Sequence, residues 1–152
     1  MQENRNQQLT LRTLNKDNFY DICQLSVKPE QQGHVDSNAI SMAEANFSDF
    51  AWMRGIYLND KAVGFVMVEA RPEVNKFYLW RFMIDHNYQG LGLGRSAIHL
   101  LINELKLFFN ASELSTSIVH VETGPQKFYE RLGFKLTGNY IEGRELELKI
   151  SI

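Results

Sequence analysis

The stretch from Tyr78 to Arg95 constrains this chain more than any other. It is mostly apolar from Tyr78 to Ile84, passes through Gly90, Gly92 and Gly94, and continues into a helical pattern. A buried strand, a short glycine-rich turn and a long helix follow from that order. Glycines permit backbone conformations that a side chain blocks. The amide N–H groups of such a turn can converge at the start of the helix, where the helix dipole also favours negative charge. The stretch therefore reads as a device for holding a diphosphate.

Spacing sets aside two familiar phosphate loops. The dinucleotide fingerprint G-x-G-x-x-G would place its third glycine where Arg95 stands. Its acidic ribose-binding residue is also missing, because Glu113 and Glu122 sit in the wrong context. The nucleoside-triphosphate loop ends in Gly-Lys-Ser or Gly-Lys-Thr, and neither occurs in the chain. A glycine cluster alone is more often a simple turn, so its surroundings carry the decision.

Those surroundings are ordered. Gln89, Gly92 and Gly94 resemble the acyl-CoA pyrophosphate loop of the GNAT N-acetyltransferase superfamily, whose pattern is Gln or Arg, two free positions, Gly, one free position, then Gly or Ala. Further on, Phe128, Tyr129, Gly133 and Phe134 match the family's closing Tyr-x-x-x-Gly-Phe element. The resemblance runs from about Leu9 to Ile150. It implies an α/β fold: a mixed, mostly antiparallel sheet of about six or seven strands, splayed at its centre, with about four helices.

The patterning of the chain is compatible with that. Leu9–Thr13, Trp52–Leu58, Ala62–Glu69, Phe77–Ile84 and Leu114–Val121 read as strands, with a hairpin turn at Asn59-Asp60 and a terminal hairpin turning near Glu142-Gly143. Asp17 is placed to cap a helix carrying Phe19, Ile22 and a buried Cys23. Ser41 and Glu44 form a capping-box pattern after breaks at Pro29 and Gly33. Ile98, Leu101, Ile102, Leu105 and Phe108 make a sheet-facing helical stripe, and Pro125 opens the last short helix.

At 152 residues the chain suits one domain, expected over 9–152 behind a loose tail at 1–8. A net charge of -2 disfavours nucleic acid as a partner. Cys23 is the only cysteine, the N-terminus lacks the apolar run of a signal peptide, and no stretch approaches the ~18 apolar residues of a membrane span. A cytoplasmic protein without a membrane partner is the expectation. His34, His86, His99 and His120 lack metal-ligand spacing, so no metal is expected; His120 is placed on the strand beside the cofactor gap.

The family likeness supplies the chemistry. It implies acetyl-CoA as cosubstrate, its pantetheine arm bonded to backbone groups of Phe82, Met83 and Ile84. Its pyrophosphate would rest on Gln89, Gly90, Leu91, Gly92, Leu93, Gly94, Arg95 and Ser96. Tyr129 matches the general-acid tyrosine that protonates the departing thiolate. In polyamine acetyltransferases an acidic residue precedes the apolar trio of the central strand; here Trp80 and Arg81 stand there, and tryptophan cannot take a proton. Glu69, Glu30 and Glu44 remain as bases acting through ordered water. Glu122 replaces a cofactor-binding asparagine and is a second candidate for contact with the acceptor. Arg81, inside an apolar strand, calls for a carboxylate partner, with Glu122 and Glu69 as candidates.

The runs Val27–Gln31, Val35–Asn38 and Ser41–Glu44, with Trp80 to Asp85, are similar to a bacterial spermine/spermidine acetyltransferase-like subgroup. A small primary amine, foremost a polyamine, is the expected acceptor, with Trp80 or Trp52 as an apolar wall and at least two of Glu30, Asp36, Glu44, Glu69 and Glu122 lining its pocket. An aminoglycoside-like antibiotic, an amino acid and a protein N-terminus stay open. So does a CoA-binding sensor without turnover. Relatives of this kind are often homodimers.

Overall fold

A computed structural model of the chain describes residues 7–32 and 36–152. The strands are β1 (Leu9–Arg12), β2 (Ala51–Leu58), β3 (Lys61–Arg71), β4 (Lys76–Ile84), β5 (Glu113–Ile118), β6 (Lys135–Ile141) and β7 (Glu145–Ser151). The helices are α1 (Phe19–Cys23), α2 (Asn38–Asn46), α3 (Leu93–Phe109) and α4 (Gln126–Arg131), with 3₁₀ turns at Pro29–Gln31, Pro72–Val74 and His86–Tyr88. All seven strands join one sheet in the order β1-β2-β3-β4-β5-β7-β6. Every neighbouring pair is antiparallel except β4 and β5. Parallel neighbours need a long crossover, and α3 supplies it.

That parallel pair is short. Only Tyr78↔Ser115 and Leu79↔Thr116 are in register. Beyond them β4 continues along β3 as far as Ile84↔Gly64, while β5 continues along β7 as far as Ile118↔Leu146. The sheet opens at its centre. Its local cause is a bulge: Met67 faces Arg81 and Val68 faces Leu79, so Trp80 is the extra residue on β4. An extra residue bends and twists its strand away from the regular ladder.

Helices cover both faces. On one, Ala97, Ile98, Leu101 and Leu105 of α3 pack with Val66, Val68, Phe77, Leu79, Leu114 and Leu148. On the other, Ile22 of α1 and Met42 of α2 pack with Tyr57, Phe65, Met67 and Met83. The α3 stripe differs from expectation at its end. Phe108 is 56% exposed, whereas Phe109 packs on Trp52 and Phe77. At ~100° per residue, position 109 returns to within about 20° of Ile98, while 108 lies about 80° away.

Several local expectations are corrected. Asp17 does not cap α1; Asn18 precedes the helix, and the turn is held by Asn15, whose Oδ1 accepts from Asp17 N at 2.8 Å and Asn18 N at 3.1 Å. The cap of α2 is Ser37, whose Oγ accepts from Ile40 N at 3.2 Å. Ser41 lies inside that helix and donates to the Ser37 carbonyl at 3.1 Å, which removes it from any box with Glu44. Cys23 is half-buried, 3.7 Å from Met42 Sδ. β5 stops at Ile118, leaving His120 exposed beyond it.

Asn59, Glu142 and Gly143 adopt the positive φ that their hairpin turns require. Gln8 is tied to the β2–β3 turn through Asn59, while positions 1–6 of the expected tail lie outside the described residues. So do Gly33, His34 and Val35. No helix among the described residues is long and apolar enough to cross a membrane.

Leu101 is fully buried between α3 and the sheet. Leu101→Ala is expected to cost about 2–5 kcal/mol in a denaturant titration, through lost burial and the cavity left behind. A loss under ~1 kcal/mol would contradict this packing.

Candidate active site

The opening between β4 and β5 is the floor of a long cleft. One wall is Phe82, Met83 and Ile84 with Gln89, Gly90 and the start of α3; the other is Thr116 to Val119, with Phe128 and Tyr129 of α4. Strand backbone that has lost its neighbour can pair with an extended ligand, as an added strand would.

The glycine loop closes one end. Gly90 (φ 79°) and Gly92 (φ 77°) are left-handed, and a Cβ at either would meet nothing within 4 Å. Space beside them is open rather than packed, which leaves a ligand room to approach the backbone. Gly92 precedes α3 without any side-chain cap, so the first-turn N–H groups are not satisfied by one. Sixteen-odd residues of aligned peptide dipoles stand behind that end, since α3 spans 17 residues.

The remaining loop residues divide. Leu93, Gly94 and Arg95 line the cleft, whereas Leu91 (65% exposed) and Ser96 do not; the Ser96 hydroxyl donates to the Gly92 carbonyl at 3.3 Å. The Gln89 amide donates to the Ile84 carbonyl at 2.9 Å and to Gln31 Oε1 at 3.0 Å, tying the strand end to the Pro29–Gln31 turn. Gly94 is placed differently. A Cβ there would lie 3.4 Å from the Phe128 ring, at van der Waals contact with α4, so this position faces the neighbouring helix rather than open space.

Sequence reasoning missed Asp85. It is 5% exposed and accepts from Ser26 N at 2.9 Å and Asn87 N at 3.2 Å, capping the turn into the loop. An aspartate bonding the amide two residues on is the available signal.

Tyr129 is 7% exposed and sits edge-on to Phe128 and Phe134, with ring centroids at 5.1 and 5.3 Å. Burial is the main cause that pushes its phenol well above the ordinary tyrosine value; the neighbouring Thr116 hydroxyl acts in the opposite direction. The phenol therefore keeps its proton at neutral pH. Tyr78 was also missed. Its half-buried hydroxyl is bonded to Ser117 Oγ, and burial raises its pKa too.

Acidic side chains also line the cleft: Glu30 in the turn that Gln89 binds, and Asp36, Glu44, Glu69, Glu142 and Glu145 with Trp80, alongside the basic Lys28, Arg81, Arg131 and Arg144. Arg81 does not pair with Glu122 or Glu69. It donates to Asp36 at 2.7 Å, to Glu44 at 3.1 Å and to the Trp80 carbonyl at 3.0 Å. Glu69 is taken by Arg71 at 2.6 Å. Glu122 is exposed in a turn and does not line the cleft, although Val121 and Thr123 do. Among the described residues no cluster of His, Cys, Asp and Glu could hold a metal ion.

A family model described as Acetyltransferase (GNAT) family matches residues 11–134. The chain belongs to this family. GNAT members are acetyl-CoA-dependent acetyltransferases, and the open sheet, loop and α4 correspond to the likeness read from the sequence. The spermine/spermidine N(1)-acetyltransferase of Bacillus subtilis is 27% identical over 136 residues, covering 86% of this chain and 90% of that protein. Solved structures share the fold. Spermidine N-acetyltransferase from Vibrio cholerae, in complex with CoA and spermine, superposes with a TM-score of 0.73 at 20% identity, covering 95% of each chain. The ribosomal-protein-S18-alanine N-acetyltransferase of Escherichia coli gives 0.70 at 20% identity, covering 95% of this chain and 94% of that one.

The loop geometry generates a direct expectation. Gly92→Val places a branched side chain in the open space beside the α3 amides and disfavours the positive φ. Calorimetry should show acetyl-CoA binding lost in a protein that still folds. Wild-type affinity in the folded variant would contradict the assignment of this loop.

Proposed function

We propose that the chain transfers an acetyl group from acetyl-CoA to a primary amine of a small molecule, foremost a polyamine such as spermidine or spermine, with Tyr129 as general acid. The observation that carries the reading is the opened sheet, which joins the uncapped amides at the start of α3 to a cleft lined by Glu44, Glu69, Glu145 and Trp80. An amine with pKa near 10 arrives as an ammonium, and acidic walls attract it. Trp80 offers an apolar surface to an aliphatic chain. The polyamine names of the relatives support the same substrate class.

The residues present suit acetyl-CoA. Amides of Gly92 to Arg95 would face its pyrophosphate, and backbone groups of Phe82 to Ile84 its pantetheine arm. When bound, it supplies the activated acetyl group. Tyr129 then holds a proton at the opening for the sulfur. Its raised pKa does not forbid the transfer, because the same dry surroundings disfavour a thiolate as they do a phenolate.

Thiol release measured with acetyl-CoA and an amine panel tests both parts. Spermidine and spermine should outrun amino acids, peptides and monoamines, and added salt should raise their KM through screening. Release with amino acids or peptides but not with polyamines would remove the polyamine reading. Tyr129→Phe should bind acetyl-CoA normally while turnover falls by roughly 10²–10⁴. A fall under about threefold would assign the proton to another donor.

A further inference from the structure

We propose that Glu145 is the terminal proton acceptor of the reaction, reached from the cleft through a hydrogen-bonded path of Tyr78 and Ser117. The inference rests on the acetyl-transfer reading above and supplies the base that Trp80 cannot be. Tyr78, Ser117 and Glu145 all line the cleft. The Tyr78 hydroxyl is bonded to Ser117 Oγ, and Ser117 Oγ donates to Glu145 Oε1 at 3.4 Å. A serine has one hydroxyl hydrogen, so Tyr78 must be the donor in the first bond. The phenol oxygen keeps its lone pairs for a third group.

The place matters as much as the bonds. Tyr78 and Leu79 are the β4 residues at which pairing with β5 ends. Thr116 and Ser117 are consecutive on β5, so their side chains point to opposite faces of the sheet. Tyr129 stands by Thr116 and Tyr78 by Ser117. Two phenols thus reach the opening from opposite faces, one with a proton to give and one with a route for a proton to leave.

The other acidic side chains are poorer candidates. Asp36 and Glu44 are bound to Arg81, Glu69 to Arg71, and Glu142 lies 3.7 Å from Arg144. Glu30 is in an exposed turn, and no hydrogen-bonded path among the described residues leads from it to the opening. Glu145 has no cationic partner among the described residues. It starts β7 just after the Glu142-Gly143 turn, where a proton can pass on to solvent.

The proton inventory closes. An ammonium proton moves to the Tyr78 oxygen as the Tyr78 proton moves to Ser117 and the Ser117 proton to Glu145, which becomes a carboxylic acid. The neutral nitrogen then bonds to the acetyl carbon and the C–S bond breaks. The sulfur takes the Tyr129 proton, and the newly bonded nitrogen returns one to Tyr129. One proton in total leaves by Glu145.

Glu145→Gln keeps the shape and can still accept from Ser117, but it cannot take the proton. With the best amine of the panel, kcat at neutral pH should fall by about 10²-fold or more while acetyl-CoA affinity is unchanged. The variant's rate should climb tenfold per pH unit towards the amine pKa, where solution delivers neutral amine, whereas wild type levels off earlier. The charged and titratable groups facing the Tyr78 phenol are Arg81 on β4, Tyr129 on α4, Glu145 on β7 and Glu142 in the preceding turn. Ser117→Ala, which breaks the path without touching the carboxylate, should lose rate in the same way, and Glu145→Asp should recover part of it.

A Glu145→Gln enzyme within threefold of wild type, with the same pH profile, overturns the proposal. So does Ser117→Ala with wild-type kinetics, or a loss that is equal at every pH. Wild type inert towards every amine would instead remove the acetyl-transfer reading, and the path with it.

Discussion

Two register pairs hold β4 to β5, and the cleft proposed for the cosubstrate exists because there are only two. A complete ladder would satisfy the backbone groups of Phe82 to Ile84 within the sheet and leave no cleft. The bulge at Trp80 turns β4 aside, and β5 follows β7 instead. Antiparallel partners on either side, β3 for β4 and β7 for β5, hold the two halves of the sheet. Phe128 packs on Phe82 of β4, and α4 so sets Tyr129 at the edge of the opening.

Charges of both signs line the cleft. The N-terminal end of α3 offers partial positive charge with no carboxylate in its first turn. The carboxylates around Trp80 are not all free, because Arg81 binds Asp36 and Glu44. An arginine in this position costs desolvation, and its Nε has no partner among the described residues. Its compensation is structural: it joins β4 to α2 and to Asp36 ahead of that helix, and so shapes the acidic wall. In the proposed reaction these carboxylates would steer a cation rather than take its proton.

Local signals made much of this legible. Gly90 and Gly92 must take positive φ, Gly133 must end α4, and Asn59 and Gly143 must turn hairpins, and each requirement is written at one position. The family likeness of Gln89–Gly94 and Tyr129 assembled these pieces into a fold. Features that depend on distant partners were not legible. Arg81 finds Asp36 and Glu44 across 45 and 37 positions, and Tyr78 reaches Ser117 across 39. No periodicity encodes such meetings. Near-equivalent local choices also misled: Phe108 against Phe109 on one helix face, and Ser41 against Ser37 as a cap.

Amide hydrogen exchange on the protein with and without acetyl-CoA tests the central claim most directly, because that claim concerns backbone N–H groups. Slowed exchange should be confined to two segments, the loop and first α3 turn from Gly90 to Ser96 and the unpaired side of β4 from Phe82 to Ile84. Protection that falls elsewhere and leaves both segments unchanged would contradict the account of the open sheet as the cosubstrate site.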